Sequence, residues 1–175
     1  MASVLTRAAA ILVAALATAA VAQSDIKTWT GKATPGLSGT DLQGRKLDLK
    51  DYRGRVVVLN FWATWCGPCK DELPSLQRLR EKLDGRPVEV LTVNYGESAA
   101  KVGPYVEQEH LSLPVLLDTQ KDIAKDWKVG GLPMTYVIDA KGRARYSVFG
   151  ERDWSDGDSL KLVEKLIGEA PGARR

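Results

Sequence analysis

The 175-residue chain has two cysteines, one histidine and two phenylalanines, and these shortages close several routes. Cys66, Cys69 and His110 are too few to build a closed four-ligand zinc site of Cys and His. A c-type haem attachment needs His directly after the second cysteine, and Lys70 stands there. An excess of one charge is also missing. Lys and Arg number 25 against 22 Asp and Glu, no basic run exceeds a pair, and nucleic acid is not expected as a partner. Repeats and low-complexity tracts are absent. With 44% apolar and 27% charged residues, the balance is that of a globular protein, and one compact domain is expected.

No apolar run reaches the roughly 20 residues that a membrane-spanning helix needs. The longest, Ala8 to Ala22, follows Arg7 and ends in Ala20-Val21-Ala22 before the polar Gln23, Ser24 and Asp25. This pattern predicts a secretory signal peptide over residues 1–22, cleaved or kept as an anchor. A linker over 23–36, a domain over 37–170 and a loose tail over 171–175 are expected to follow. About 150 residues can bury a full core without staples. The two cysteines are then retained in a compartment where thiols tend to be oxidised.

Both cysteines lie in Trp65-Cys66-Gly67-Pro68-Cys69-Lys70, directly after the apolar run Val56 to Trp62, which suits a central strand covered on both faces. After them Leu73, Leu76, Leu79 and Leu83 form a helical stripe, and Asp84-Gly85 stops it. The motif therefore sits where a strand feeds a helix. Near that first turn, free backbone N–H groups and the positive end of the helix dipole favour thiolate over thiol, making Cys66 the predicted nucleophile. Cys69 lies on the same face, close enough for a disulfide, and is the thiol expected to be more buried. Pro68 suits a first turn because its missing N–H costs nothing there.

Further on, Gly130-Gly131-Leu132-Pro133-Met134 opens an apolar strand that continues to Ile138, and a second strand runs from Arg143 to Phe149. Taken alone, Pro133 is a strand-entry proline in the ordinary trans form. A polar helix from Ser98 to about Glu109, a short strand at Val115-Leu116-Leu117 and a segment from Lys121 to Trp127 lie between Asn94 and Gly130. Leu37 to Leu49 reads as a hairpin with a Gly-containing turn, and Leu160, Val163, Leu166 and Ile167 as a helix covering one sheet face. Trp62, Trp127 and Trp154 are expected to pack in the core, Trp65 to line a groove, and His110 to sit on an exposed loop.

Taken in order, Asn60 to Lys70, Glu72-Leu73-Pro74, Val93 to Ser98 and Gly131 to Thr135 resemble the TlpA/ResA branch of thioredoxin-like proteins over roughly residues 37 to 168. The resemblance implies an α/β thioredoxin-like fold: a mixed central sheet flanked by helices, with an added N-terminal β-hairpin and a central αβ insertion. It implies a cis-proline at Pro133, with Leu132 offering its backbone to an extended substrate segment, as in strand addition. Trp65, Gly67 and Pro68 complete the expected substrate surface. Asn60 replaces the buried Asp of thioredoxin and cannot exchange a proton. Glu72 matches the ResA-type glutamate three residues after the second cysteine, and a carboxylate near both sulfurs would couple thiol release to proton transfer. Its alternative is a solvated glutamate on the helix surface.

A thiol-disulfide oxidoreductase, reducing rather than oxidising, is therefore expected in the bacterial periplasm or envelope. No cofactor or metal is expected beyond the Cys66–Cys69 pair. The expected partners are disulfide-bearing envelope proteins, such as apocytochrome c or copper-site proteins, and a membrane electron donor of the DsbD/CcdA type. The chain is expected to be a monomer. Cytochrome-maturation thioredoxins carry an acid after the cis-proline, where this chain has Met134. Two other uses of the same thiols stay open on the sequence. One is a copper-handling chaperone using Cys66, Cys69 and Met134. The other is a thiol peroxidase, although Thr64 precedes Cys66 without the spacing of the peroxiredoxin motif.

Overall fold

The computed structural model describes residues 25–170. The expected signal peptide and tail lie outside the described residues. Eight strands and four α-helices follow in the order β1 Ile26–Thr28, β2 Ser38–Thr40, β3 Lys46–Asp48, β4 Val56–Trp62, α1 Gly67–Lys82, β5 Val88–Tyr95, α2 Ala99–Gln108, β6 Val115–Asp118, α3 Asp122–Asp126, β7 Met134–Ile138, β8 Ala144–Phe149 and α4 Gly157–Gly168. A 3-10 turn at Leu49–Tyr52 links β3 to β4.

Six strands form one sheet in the order β1-β8-β7-β4-β5-β6, and β2 and β3 form a separate hairpin. β4, β5 and β6 are parallel, joined by crossovers through α1 and α2, whereas β7, β8 and β1 add antiparallel. The sheet is therefore mixed, and β4 lies inside it with every residue buried. Because side chains alternate along a strand, β4 feeds two cores. Val56, Val58 and Trp62 pack with Leu73, Leu76 and Leu79 of α1, Val102 of α2 and Val163 and Leu166 of α4. Val57, Leu59 and Phe61 pack on the opposite face with Leu37, Leu49, Ala124, Trp127 and Tyr136. Asn60 shares the parity of Val58 and Trp62, which turns it toward α1.

The insertion is as expected: α2 supplies Val102 and Val106 to the core, and β6 extends the sheet beside β5. The hairpin docks on the β6 edge, where Leu42 donates its N–H to Val115 O at 3.0 Å and Asp41 bridges Leu116. It thereby covers part of an exposed strand edge. Gly44 takes a positive φ of 78° in the hairpin turn, and Asp41 Oδ1 accepts from the N–H groups of Gln43 and Arg45. One boundary differs from expectation. The stretch expected as a linker contains β1, which pairs Ile26 with Val148 and Thr28 with Tyr146. Three residues are too few to show a period, and their pairing lies about 120 residues away in sequence.

Leu76 is fully buried between α1 and the sheet. Leu76→Ala is expected to lower unfolding free energy by about 2–5 kcal/mol, read as a lower urea midpoint at unchanged slope.

Candidate active site

β4 ends at Trp62, and the loop 63–65 carries the chain into α1 with Cys66 as the residue that caps it. Cys66 is extended at φ −89° and ψ 107°, and its Sγ accepts from the Cys69 N–H at 3.3 Å. Its carbonyl accepts from Lys70 N at 3.2 Å. A sulfur replaces the usual oxygen at an N-cap here, so the Cys69 N–H and the positive end of the helix dipole meet the atom that would carry a thiolate charge. Cys66 and Cys69 form a disulfide with a Cα separation of 5.3 Å. Cys69 is 1% exposed and Cys66 5%, so the second sulfur is the more enclosed. Pro68 lies in the first turn, where no N–H is missed.

β7 runs antiparallel to β4 with Met134 opposite Phe61, which brings the start of β7 to the sheet end where β4 delivers Cys66. The Leu132–Pro133 peptide there is cis, as the resemblance implied and contrary to the expectation for a proline taken alone. Pro133 is buried and its carbonyl accepts from Gly150 N at 2.9 Å. Leu132 is half-buried, and among the described residues nothing hydrogen-bonds its backbone. Trp65 is 65% exposed, and Gly67 and Pro68 are exposed beside it. Sequence reasoning missed Phe149. At the end of β8 it is 63% exposed and lies over Gly131, where a Cβ would collide with its ring.

Glu72, one turn beyond Cys69, is 1% exposed, which rules out the solvated surface alternative. Its Oε1 accepts from Trp154 Nε1 at 2.8 Å and its Oε2 from Asn60 Nδ2 at 2.8 Å. Burial pushes its pKa up to about 8, although these bonds and one from the Arg152 backbone favour the charged form. Trp154 does pack in the core, but its indole N–H also holds the carboxyl, a function no local signal announced. The loop that carries it docks on α1 through Ser75, whose Oγ accepts from Trp154 N at 3.1 Å.

A second carboxylate, which sequence reasoning missed, is Glu97, from the loop after β5. It accepts from Thr64 N at 2.8 Å, from Thr64 Oγ1 at 2.6 Å and from Asn94 Nδ2 at 2.9 Å. Burial opposes its charge, but the donors from Thr64 and Asn94 and the nearby Lys101 outweigh that and hold it below the usual carboxylate range. It thus ties down the loop that leads into Cys66. Among the described residues, no group of three or more His, Cys, Asp and Glu is arranged to hold a metal.

Residues 30–147 match the model of the AhpC/TSA family. The thiol-disulfide oxidoreductase ResA of Bacillus cereus is 37% identical over 143 residues, 82% of this chain and 72% of that protein. The chain belongs to the ResA-like redoxins of the AhpC/TSA family. Among solved structures, this redoxin resembles a thioredoxin-family thiol:disulfide interchange protein of Chlorobium tepidum, at TM-score 0.68 and 26% identity over 78% of this chain and 96% of that one. A secreted thiol-disulfide isomerase of Corynebacterium glutamicum gives TM-score 0.68 and 28% identity over 77% and 84% of the two chains. The redoxin is a thiol-disulfide oxidoreductase with a thioredoxin fold.

Two outcomes follow from the carboxylates. Between 4.5 and about 8, native Glu72 keeps a proton that the unfolded chain has released, so its burial lowers stability progressively as pH rises through that window. Urea unfolding of the oxidised redoxin should show a loss of stability from the bottom to the top of that window, and the loss should be smaller in Glu72→Gln. Glu97→Ala leaves two Thr64 donors unmatched and is expected to cost about 1–3 kcal/mol, read by the same unfolding experiment.

Proposed function

We propose that this redoxin is an exported reductase of disulfides in envelope proteins, recharged by a membrane electron donor of the DsbD/CcdA type. The observation that carries this reading is the pairing, on one helix, of a sulfur at the N-cap with a buried carboxyl one turn beyond the second sulfur. The first lowers the cost of a Cys66 thiolate, and the second keeps a proton near Cys69 at neutral pH.

In the forward reaction the Cys66 thiolate attacks one sulfur of a substrate disulfide, and the other substrate sulfur leaves as a thiolate. Cys69 then passes its proton to the carboxylate form of Glu72, which the oxidised protein holds as the acid, and attacks Cys66 Sγ in the mixed disulfide. The Cys66–Cys69 bond forms and the substrate leaves as a dithiol. Leu132 offers free backbone groups to an extended substrate segment, and Pro133, Gly67, Pro68 and Trp65 form the surface around the sulfurs. Two electrons pass from the protein dithiol to the substrate disulfide, and no organic cofactor or metal takes part. Apocytochromes and copper-site proteins are the candidate substrates. Residues 1–22 act as the export signal, cleaved or retained. Among the described residues no helix is long and apolar enough to cross a membrane.

The peroxidase alternative is weaker because the Thr64 hydroxyl is donated to Glu97. The copper alternative is weaker because Met134 packs against the core on the face of Phe61 and Trp127.

Equilibration with glutathione redox buffers tests the direction of electron flow. A potential near that of thioredoxin, about −270 mV, is expected, and a value near that of DsbA, about −120 mV, overturns the reductase assignment.

A further inference from the structure

Asn60 and Thr135 sit opposite each other on the neighbouring strands β4 and β7, both buried beneath α1. Asn60 Nδ2 spends one hydrogen on Glu72 Oε2 at 2.8 Å and the other on Thr135 Oγ1 at 2.9 Å. Its Oδ1 is buried and has no hydrogen-bond partner. An amide with both hydrogens engaged and its oxygen bare suits a carboxylate, which only accepts. It does not suit a carboxylic acid. A proton on Oε2 would point at the Asn60 NH2, and a proton on Oε1 would point at Trp154 Nε1, an indole that can only donate.

A half-turn of the amide removes the conflict. Oδ1 then takes the place of Nδ2 and accepts both from the Glu72 O–H and from the Thr135 hydroxyl, which reverses from acceptor to donor. The NH2 takes over the unpartnered position. Each orientation leaves one amide group bare, so neither wins by hydrogen-bond count, and the proton on Glu72 decides between them.

We propose that the Asn60 amide turns over with the Glu72 proton, offering Nδ2 to the carboxylate and Oδ1 to the acid, with the Thr135 hydroxyl reversing in step. Asn60 is in this sense a positioning residue that acts through Glu72, and the inference rests on the proposed role of Glu72 as the proton-holding group. When Glu72 passes its proton to a Cys69 thiolate, a thiol and a carboxylate result, and the amide supplies the donor that the new charge needs. The other groups facing Glu72 do not substitute for it. On α1 the cysteine pair precedes it by one and two turns, and the groups that act on its charge come from elsewhere. From the loop after β8 they are Glu151, whose charge favours the neutral acid, the backbone of Arg152 and the indole of Trp154. The buried Arg152 guanidinium donates from Nε to Ser159 Oγ. Because Thr135 follows the cis-proline by two residues, the state of the amide is also felt at the segment that would hold substrate.

The test is NMR on the oxidised protein, in which neither cysteine titrates. The Asn60 side-chain NH2 signals and the Glu72 carboxyl carbon are followed together across the window from 4.5 to beyond about 8. The expected result is that both move with one midpoint, and that in Glu72→Gln the Asn60 signals no longer respond to pH. Asn60→Leu should shift the carboxyl midpoint upward, because a bond to a charged group is worth more than one to its neutral form. Asn60 signals that stay fixed while Glu72 titrates overturn the amide turnover and leave the role of Glu72 standing. If the carboxyl carbon does not move either, both fall together.

Discussion

Sealing a carboxyl group between a helix and a sheet is costly, and in this redoxin N–H donors from distant parts of the chain offset that cost. Glu72 lies on the buried face of α1 with Asn60 beneath it and Trp154 beside it. Removing either donor leaves an acceptor without water in an apolar seam. The parity of β4, the packing of α4 and the path of the loop after β8 are all constrained by the need to bring those two N–H groups to one carboxyl. Burial and hydrogen bonding pull in opposite directions here, and burial wins, which places the proton equilibrium near neutrality rather than in the acid range.

The other side of the same helix start solves a different electrostatic problem. Cys66 closes the N-terminus of α1 with a sulfur, and the loop before it is fastened by Glu97 through the Thr64 N–H and hydroxyl. Two carboxylates therefore flank the cysteine motif in opposite states. Glu97 is held charged by surplus donors, whereas Glu72 is pressed toward neutrality by its surroundings. The first serves as a fixed anchor, and the second is free to exchange its proton at ordinary pH. Their division of labour follows from the number of donors each receives and the water each loses.

Much of this was legible locally. The unbroken apolar run of β4, the leucine stripe of α1, the inserted α2 and β6 and the hairpin before β4 each announce themselves within about 20 residues, through a period or a turn. Cys66 and Cys69 were legible for the same reason. β1 was not, because Ile26 to Thr28 become a strand only through pairing with β8. The setting of Glu72 was half legible: its place after Cys69 marked it by resemblance, but its partners lie 12 and 82 residues away. Trp154 reads as core and is core. That its indole nitrogen meets a carboxylate is a fact of tertiary packing. Phe149 looks like an ordinary strand end until the glycine beneath it is seen.

The direction of β1 has a practical side. It runs antiparallel to β8, with Ile26 beside Val148 and Thr28 toward Tyr146, so the polypeptide joins the sheet at the Phe149 end. The last turn of α4 finishes at the other end, where Glu169 meets Arg145 at 3.4 Å. Three strand spacings, about 14 Å, separate β1 from β4 across the sheet. Ile26 thus enters the sheet on the rim that carries the sulfurs, whereas α4 closes on the opposite rim, which makes the α4 end the better point of attachment when the approach to Cys66 must stay clear.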